Sequence, residues 1–371
     1  MLDPRVLDSL PDEIVSLYSD VATDIIADMA RRIATYDYYI PSAEHQRQML
    51  REMGATQEMI IKRLSKMTGR SEKELQRLMQ DACNDALETD KEYYKRHGKE
   101  VPTEMSVTMR SILQAGYRST NKMFINLTHT TATEGSTQIV QALDKAWLQV
   151  KTGGFDVNTA IRNAIKGIAR KGIYSVGYAS GRKETLEVAV RRAVLTGINQ
   201  TAAEMQLQLA SEVDSDLVET TAHAGARPSH TVWQGKIFSL SGKSGKYPDF
   251  RTSTGYGTGA GLCGWNCRHS FFPHFEGEQR AYTSEELADY NKKTIVYNGE
   301  SYTEYEATQI QRHNERQIRR WKREKAALEA VGEDTTEAET KLQIWRAEQL
   351  HFIKETGLKR QRDREMIAQD M

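Results

Sequence analysis

Six side chains with metal-binding or proton-transfer chemistry fall within one stretch: His223, His230, Cys263, Cys267, His269 and His274. Cys263 and Cys267 have three residues between them, a spacing that zinc sites use, and histidines supply nitrogen donors. A small β-rich unit with long glycine loops gains stability from such a staple. His223, His230, Cys263, Cys267 and His269 therefore form a candidate structural zinc site. No second cysteine pair accompanies them, and the histidine spacing follows no zinc-finger pattern. The plainer alternative stays open: the cysteines are small core side chains and the chain has no cofactor. Cys83, the remaining cysteine, sits in a helical pattern and reads as a buried side chain.

Other residues invite catalytic readings. Arg227, Ser229 and His230 could hold an anion and move a proton. The segments "RTSTG" and "EGE" (Glu276 and Glu278) resemble elements of ADP-ribosyltransferases, but here they are crowded between residues 251 and 278. That fold spreads them over several strands. The Gly-Lys-Ser of "LSGKSGKY" lacks the upstream glycine of a phosphate-binding loop, because Ile237 stands at that position. "GYGTGAG" has Ala260 where a dinucleotide fingerprint needs glycine, so it reads as a loop with unusual backbone angles. No acid–base pair is fixed by spacing, and the expectation is a protein that is not an enzyme.

The elements that must position these residues are mostly helical. The chain has 371 residues, with 51 basic and 51 acidic side chains, so no global attraction to nucleic acid or membrane is implied. A charged fraction of 27% suits long exposed helices. No apolar run is long enough to cross a membrane, and the N-terminus lacks the build of a secretory signal. Sparse cysteines point to a reducing compartment. Residues 1–210 read as short helices joined by Gly and Thr turns. One puts Met109, Ile112, Leu113, Gly116, Met123 and Leu127 on a common face. Ser71 and Glu74 have the spacing of a capping box that would open a new helix. "DLVETTAH" and "GKIFSL" read as strands. Beyond residue 301 a narrow apolar stripe (Ile310, Ile318, Trp321, Leu328, Leu342, Trp345, Phe352) is interrupted by "VGEDTTEAE", which predicts two long helices in a hairpin. The expected fold is mainly α with a small α+β insert: a helical assembly domain over 1–210, a compact β-rich unit over 211–285 and a C-terminal helical hairpin over 286–371.

Residues 151–200 carry nine basic side chains against three acidic ones. Arg162, Lys166, Arg170, Lys171, Arg182, Lys183, Arg191 and Arg192 are candidates to face DNA or an acidic partner, and a solvated helix face is the alternative.

The block "TAHAGARPSHTVWQGKIFS", followed by "YPDF", a glycine-rich loop and "GLCGWNCRHSFFPHFEG", resembles the tailed-phage minor capsid protein 2 family, which is related to the Mu F and SPP1-type minor head proteins. The matching positions are Arg227, Pro228, His230, Gly235, Lys236, Trp265, Asn266, Cys267 and Arg268. His269 stands where the Mu F pattern ends in a second cysteine. "VKTGGFDVNTAIRNAIKGIARKGI", "YASGRKETLEVAVRRAVLTGINQTA" and "HNERQIRRWKREKAALEA" also look like family segments. The resemblance implies a Mu F-like central unit and a structural virion protein inside the head at the portal vertex, made in the host cytoplasm. Its implied partners are the portal protein, packaged double-stranded DNA bound without sequence preference, and other copies of itself or capsid and scaffold proteins. It implies roles in head assembly, packaging and ejection, and no membrane as a primary partner. An injected effector enzyme, ADP-ribosyltransferase-like or metal-dependent, carried on a minor-head scaffold is the alternative. The Arg227–Arg268 block, including Trp233, is expected to determine the fold. In that reading Trp233, Phe238, Trp265, Phe271 and Phe272 form an aromatic core, and Arg227 and His230 hydrogen-bond across to the glycine loop.

Overall fold

A computed structural model describes residues 2–367. The chain is mainly helical, with short antiparallel strands. Its order begins with α1 (Pro4–Ser9), α2 (Asp12–Thr35), α3 (Ser42–Arg96), α4 (Val107–Lys151) and α5 (Val157–Lys171). The hairpin β1 (Tyr174–Gly177) and β2 (Lys183–Thr185) leads into α6 (Leu186–Glu212). Then come β3 (Leu217–Thr220), β4 (Ile237–Ser239), α7 (Phe250–Thr254) and β5 (Phe271–Pro273). Finally α8 (Ser284–Asp289) and the hairpin β6 (Ile295–Tyr297) and β7 (Glu300–Tyr302) precede α9 (Glu304–Glu329) and α10 (Thr336–Thr356). No helix among the described residues is long and apolar enough to cross a membrane.

Two expectations about the N-terminal helices are corrected. The helices there are not short: α3 runs for 55 residues and α4 for 45. Ser71 does not open a new helix, because α3 continues through it. Its side chain is buried and its hydroxyl donates back to the Thr68 carbonyl at 3.1 Å. A Ser side chain caps only when the backbone before it leaves the helix. Here the flanking Leu64, Met67, Leu75, Leu78 and Met79 are all buried at helical spacing, and that burial carries the helix past the capping signal.

By contact, the chain divides into two compact units. Among the described residues, one gathers 2–11, 72–122 and 192–310; the other gathers 12–71, 123–191 and 311–367. That division is spatial, whereas the one expected from the sequence runs in chain order.

In the second unit α2 buries Ile14, Tyr18, Val21, Ile25, Met29 and Ile33, spaced by three and four residues along one face. The Tyr18 and Phe124 rings lie 5.6 Å apart. α5 starts at Asp156, whose carboxylate accepts from the Thr159 backbone N–H, and ends at Gly172 with φ +75°. α9 and α10 turn back on one another around Ile318, Trp321, Ala338, Leu342 and Trp345, which is the stripe the sequence picks out.

In the first unit β3 is the central strand of an antiparallel sheet in the order β4-β3-β5. Val218 pairs with Phe238 on one side and with Pro273 on the other. The core over this sheet contains Val218, Trp233, Phe238, Phe250, Leu262, Cys263, Cys267 and Phe271, together with Ala203 of α6. Trp265 is not part of it: that side chain is 61% exposed, and Phe272 is only half-buried. The reason is local. Trp265 covers the glycine loop from outside, where a Cβ on Gly259 would sit 2.6 Å from its ring.

Candidate functional site

The site grows out of the ends of β3. Past Thr220 the chain reaches Gly225 at φ +74°, then Arg227 and Pro228. Pro228 opens a single 3-10 turn over Pro228–His230, a position that needs no N–H and suits the fixed φ of proline. That turn aims His230 inward, where it is buried. Opposite it, the glycine loop folds tightly on itself. A Cβ at Gly261 would lie 2.0 Å from the Gly255 carbonyl oxygen, so the loop closes only with glycine there. Cys263 and Asn266 then take left-handed angles, φ +56° and +53°. The chain re-enters β5 with Cys267 and His269 turned inward and buried.

Three side chains meet as a result. His230 Nδ1 and His269 Nδ1 are 3.4 Å apart. Cys267 Sγ lies 3.7 Å from the first and 3.6 Å from the second. Each ring is anchored at its far nitrogen. His230 Nε2 donates to the Ala260 carbonyl at 2.9 Å, and His269 Nε2 donates to Gln234 Oε1 at 3.0 Å. Gln234 Oε1 also accepts from the His223 backbone N–H at 3.3 Å, which fixes it as the oxygen of that amide. Trp233 walls the cluster, its ring 4.6 Å from that of His230 and 4.7 Å from that of His269.

Burial dominates the electrostatics. It holds His269 well below the usual imidazole value, with the His223 and His230 charges adding to the effect. It lowers His230 as well. His223 is pushed down to about 4 by burial and then by the charge of Arg268. The Cys263 and Cys267 thiols are pushed up by burial. The cluster thus stores neutral imidazoles and protonated thiols.

The other members of the expected metal set stand beside the trio. Cys263 points its thiol at the His269 carbonyl, 3.6 Å away. His223 lies against His269 with the rings tilted and their centres 4.4 Å apart, and its Nδ1 donates to the Ala224 carbonyl at 2.7 Å. His274 belongs to a different pair, 3.6 Å from the Glu219 carboxylate.

Arg227 donates to the Trp265 carbonyl at 2.8 Å, and Arg268 donates to the Gly225 carbonyl at 3.4 Å and sits 3.6 Å from Asp8. The two ends of the Arg-Pro-x-His…Trp-Asn-Cys-Arg block are therefore tied to each other. The pattern of the phage minor capsid protein 2 family matches residues 2–354. The chain belongs to that family. Among its relatives are two proteins described as structural proteins. That of Lactococcus phage LL-H is 29% identical over 232 residues, 60% of this chain and 60% of that one. That of Lactococcus phage mv4 is 37% identical over 126 residues, 33% of this chain and 94% of that one. The match thus spans less than two thirds of the LL-H protein's length. No solved structure matches. This minor capsid chain is accordingly a phage structural protein.

Sequence reasoning missed the residues that hold the block from behind. Asn199 of α6 is fully buried, and its amide donates to the carbonyls of both Cys267 and His269 at 3.0 Å. Gln206, two turns further on, donates to Asp90 at 2.7 Å and to the Phe271 carbonyl at 3.0 Å. The one signal was the presence of Asn199 and Gln206 on the buried face of α6, among Val194, Ile198, Ala202 and Met205.

The basic candidates are largely engaged within the chain. Arg162 pairs with Glu333 (2.6 Å), Lys166 with Glu337 (2.5 Å), Arg170 with buried Glu324 (2.6 Å) and Lys183 with Glu134 (2.7 Å). Arg182 sits 3.5 Å from Glu184, and Arg191 pairs with Asp12. Arg192 is half-buried on α6. Lys171 instead lines a groove of about 270 Å³ between α4 and α5, together with Lys145, Gln141, Gln149 and Asn163.

Proposed function

We propose that this chain is a minor head protein mounted inside the capsid at the portal vertex, where it supports head assembly and the packaging or ejection of DNA. The observation that carries the reading is the extent of the family pattern, which runs through both compact units and not through an isolated block. Helices of 55 and 45 residues suit it, because long helices provide extended faces for a helical partner. Portal protein, other copies of the chain and non-specifically held DNA are its partners in this reading. The virion is its location and the host cytoplasm its place of synthesis.

The effector-enzyme alternative needs Arg227, His230 and the Glu276–Glu278 segment to serve one substrate. Each is held elsewhere: Arg227 by the Trp265 carbonyl, His230 by Ala260 and its buried neighbours, Glu276 by Lys246 at 3.2 Å. Glu278 receives His97 at 2.6 Å and Tyr93 at 2.7 Å. The alternative draws no support from these residues.

Co-expression with the portal protein of the same phage tests the proposal. Co-migration with the portal ring on size-exclusion chromatography is expected. A chain that elutes alone while the ring assembles normally overturns the portal placement.

A further inference from the structure

Two imidazole lone pairs face each other in a buried space with one thiol to serve them. The Ala260 carbonyl can only accept, so the His230 ring proton is on Nε2 and its Nδ1 is a bare lone pair. The same argument applies at His269, whose Nε2 faces the amide oxygen of Gln234. The two Nδ1 atoms nevertheless point at one another across 3.4 Å. The Cys267 thiol has a single hydrogen and can satisfy only one of them. Facing acceptors in a dry interior are unfavourable unless something positive sits between them.

A divalent ion meets that need. Tetrahedral zinc, with nitrogen ligands at about 2.0–2.1 Å and sulfur at about 2.3 Å, separates two nitrogens by about 3.4 Å and a nitrogen from a sulfur by about 3.6 Å. The cluster shows 3.4 Å between the nitrogens and 3.6 and 3.7 Å from each to the sulfur. All three donor atoms lie within 4.8 Å of one another, and all three residues are buried. The anchoring beyond them also fits. Metal-bound histidines usually donate their second ring N–H to a carbonyl or carboxylate oxygen, which fixes the ring and its tautomer. Both do so here.

We propose that His230 Nδ1, Cys267 Sγ and His269 Nδ1 bind a structural zinc ion in the sheet unit. On binding, the Cys267 proton leaves to solvent and the thiolate takes its place beside the metal. Cys263 stands outside the mutually close donors and points its thiol at the His269 carbonyl, so the protein supplies three ligands and leaves one corner open. The ion adds a tie between the 3-10 turn at Pro228 and the segment entering β5, beside the hydrogen bonds of Arg227, Arg268 and His269. Its job is to hold the Arg-Pro-x-His…Trp-Asn-Cys-Arg block closed.

The test uses the full chain, purified without chelators and exposed to zinc, with metal content read by mass spectrometry. About one zinc per chain is expected for the wild type and for Cys83→Ser, a thiol outside the cluster. Cys267→Ser and His230→Gln should each lose at least about tenfold in zinc affinity. Cobalt provides a second measure that does not depend on the variants folding fully. The wild-type chain should show a thiolate-to-cobalt charge-transfer band in the near ultraviolet, with the intense visible bands of a tetrahedral site. Wild-type chain that takes up no zinc, or whose cobalt spectrum lacks the thiolate band, overturns the proposal.

Discussion

Asn199 shows how much a single side chain can carry in this protein. Its amide nitrogen holds the carbonyls on either side of Arg268, at Cys267 and at His269, both at 3.0 Å. Asn199→Ala would leave both carbonyls without that donor, at a penalty of about 1–3 kcal/mol for each buried group left unpaired. We expect a loss of about 2–4 kcal/mol, measured by urea unfolding, with Asn199→Asp worse because it replaces the donor with a second acceptor. A loss below about 0.5 kcal/mol would mean that water reaches these carbonyls. The same residue marks where sequence reading reaches its limit. The residue types of His230, Cys267 and His269 marked them as candidates, and the structure brings the three together. Asn199 was not, because its partners lie 68 and 70 residues away and its type is unremarkable in a helix. Trp265 was misjudged for the opposite reason. Aromatic residues are usually core, but a loop built of glycines has no side chains of its own and needs one placed over it from outside.

At the scale of elements, burial overrides local signals. A capping box at Ser71 suggested a break that α3 does not make, because that signal does not outweigh a continuous buried face. The strands β3 and β4 were legible in "DLVETTAH" and "GKIFSL". β5 was hidden in an aromatic run without alternation, and the pairs β1–β2 and β6–β7 are too short to show a period. The face containing Gly116 proved informative in another way. Gly116 of α4 meets Thr201 of α6, and Gly197 of α6 meets Thr120 of α4, so the two helices cross through two reciprocal glycine–threonine contacts. A Cβ on Gly116 would lie 2.0 Å from Thr201 Oγ1 and 2.9 Å from its Cβ, and one on Gly197 would lie 2.2 Å from Thr120 Oγ1. The clash with Thr201 Cβ cannot be relieved by rotating the side chain. Gly116→Ala should therefore destabilise the chain by about 1–3 kcal/mol, even though alanine is the better helix former by about 1 kcal/mol. Adding Thr201→Ala should recover part of that loss, a non-additive result that a double-mutant cycle in thermal unfolding would read directly. Independent, additive effects would mean that the helices do not meet at these residues.

At the scale of the whole molecule the question is how much of the basic charge is available to DNA. Nine basic residues against three acidic ones between 151 and 200 suggested a phosphate-facing surface, yet six of the eight candidates stand within 4.0 Å of a carboxylate of the same chain. A guanidinium already paired releases few counterions when a phosphate approaches, and counterion release supplies most of non-specific affinity. The charge bias along the sequence was real, but for five of those six the answering acids are Asp12, Glu134, Glu324, Glu333 and Glu337, outside the window. The groove bearing Lys145 and Lys171 is then the better candidate for DNA contact in the second unit. This predicts a shallow salt dependence. Two phosphate contacts give a slope of log K against log salt near about −2, whereas engagement of all eight candidates would approach about −7. Fluorescence anisotropy with a labelled duplex from low to moderate salt measures the slope. Lys145→Glu with Lys171→Glu should abolish binding and leave the melting temperature unchanged. Arg170→Glu should instead lower the melting temperature, because it leaves buried Glu324 facing a second carboxylate, while binding by the folded fraction persists. A steep slope that flattens on Arg162→Ala or Arg170→Ala would show that these ion pairs open to admit DNA, and would return the basic segment to the role its composition suggests.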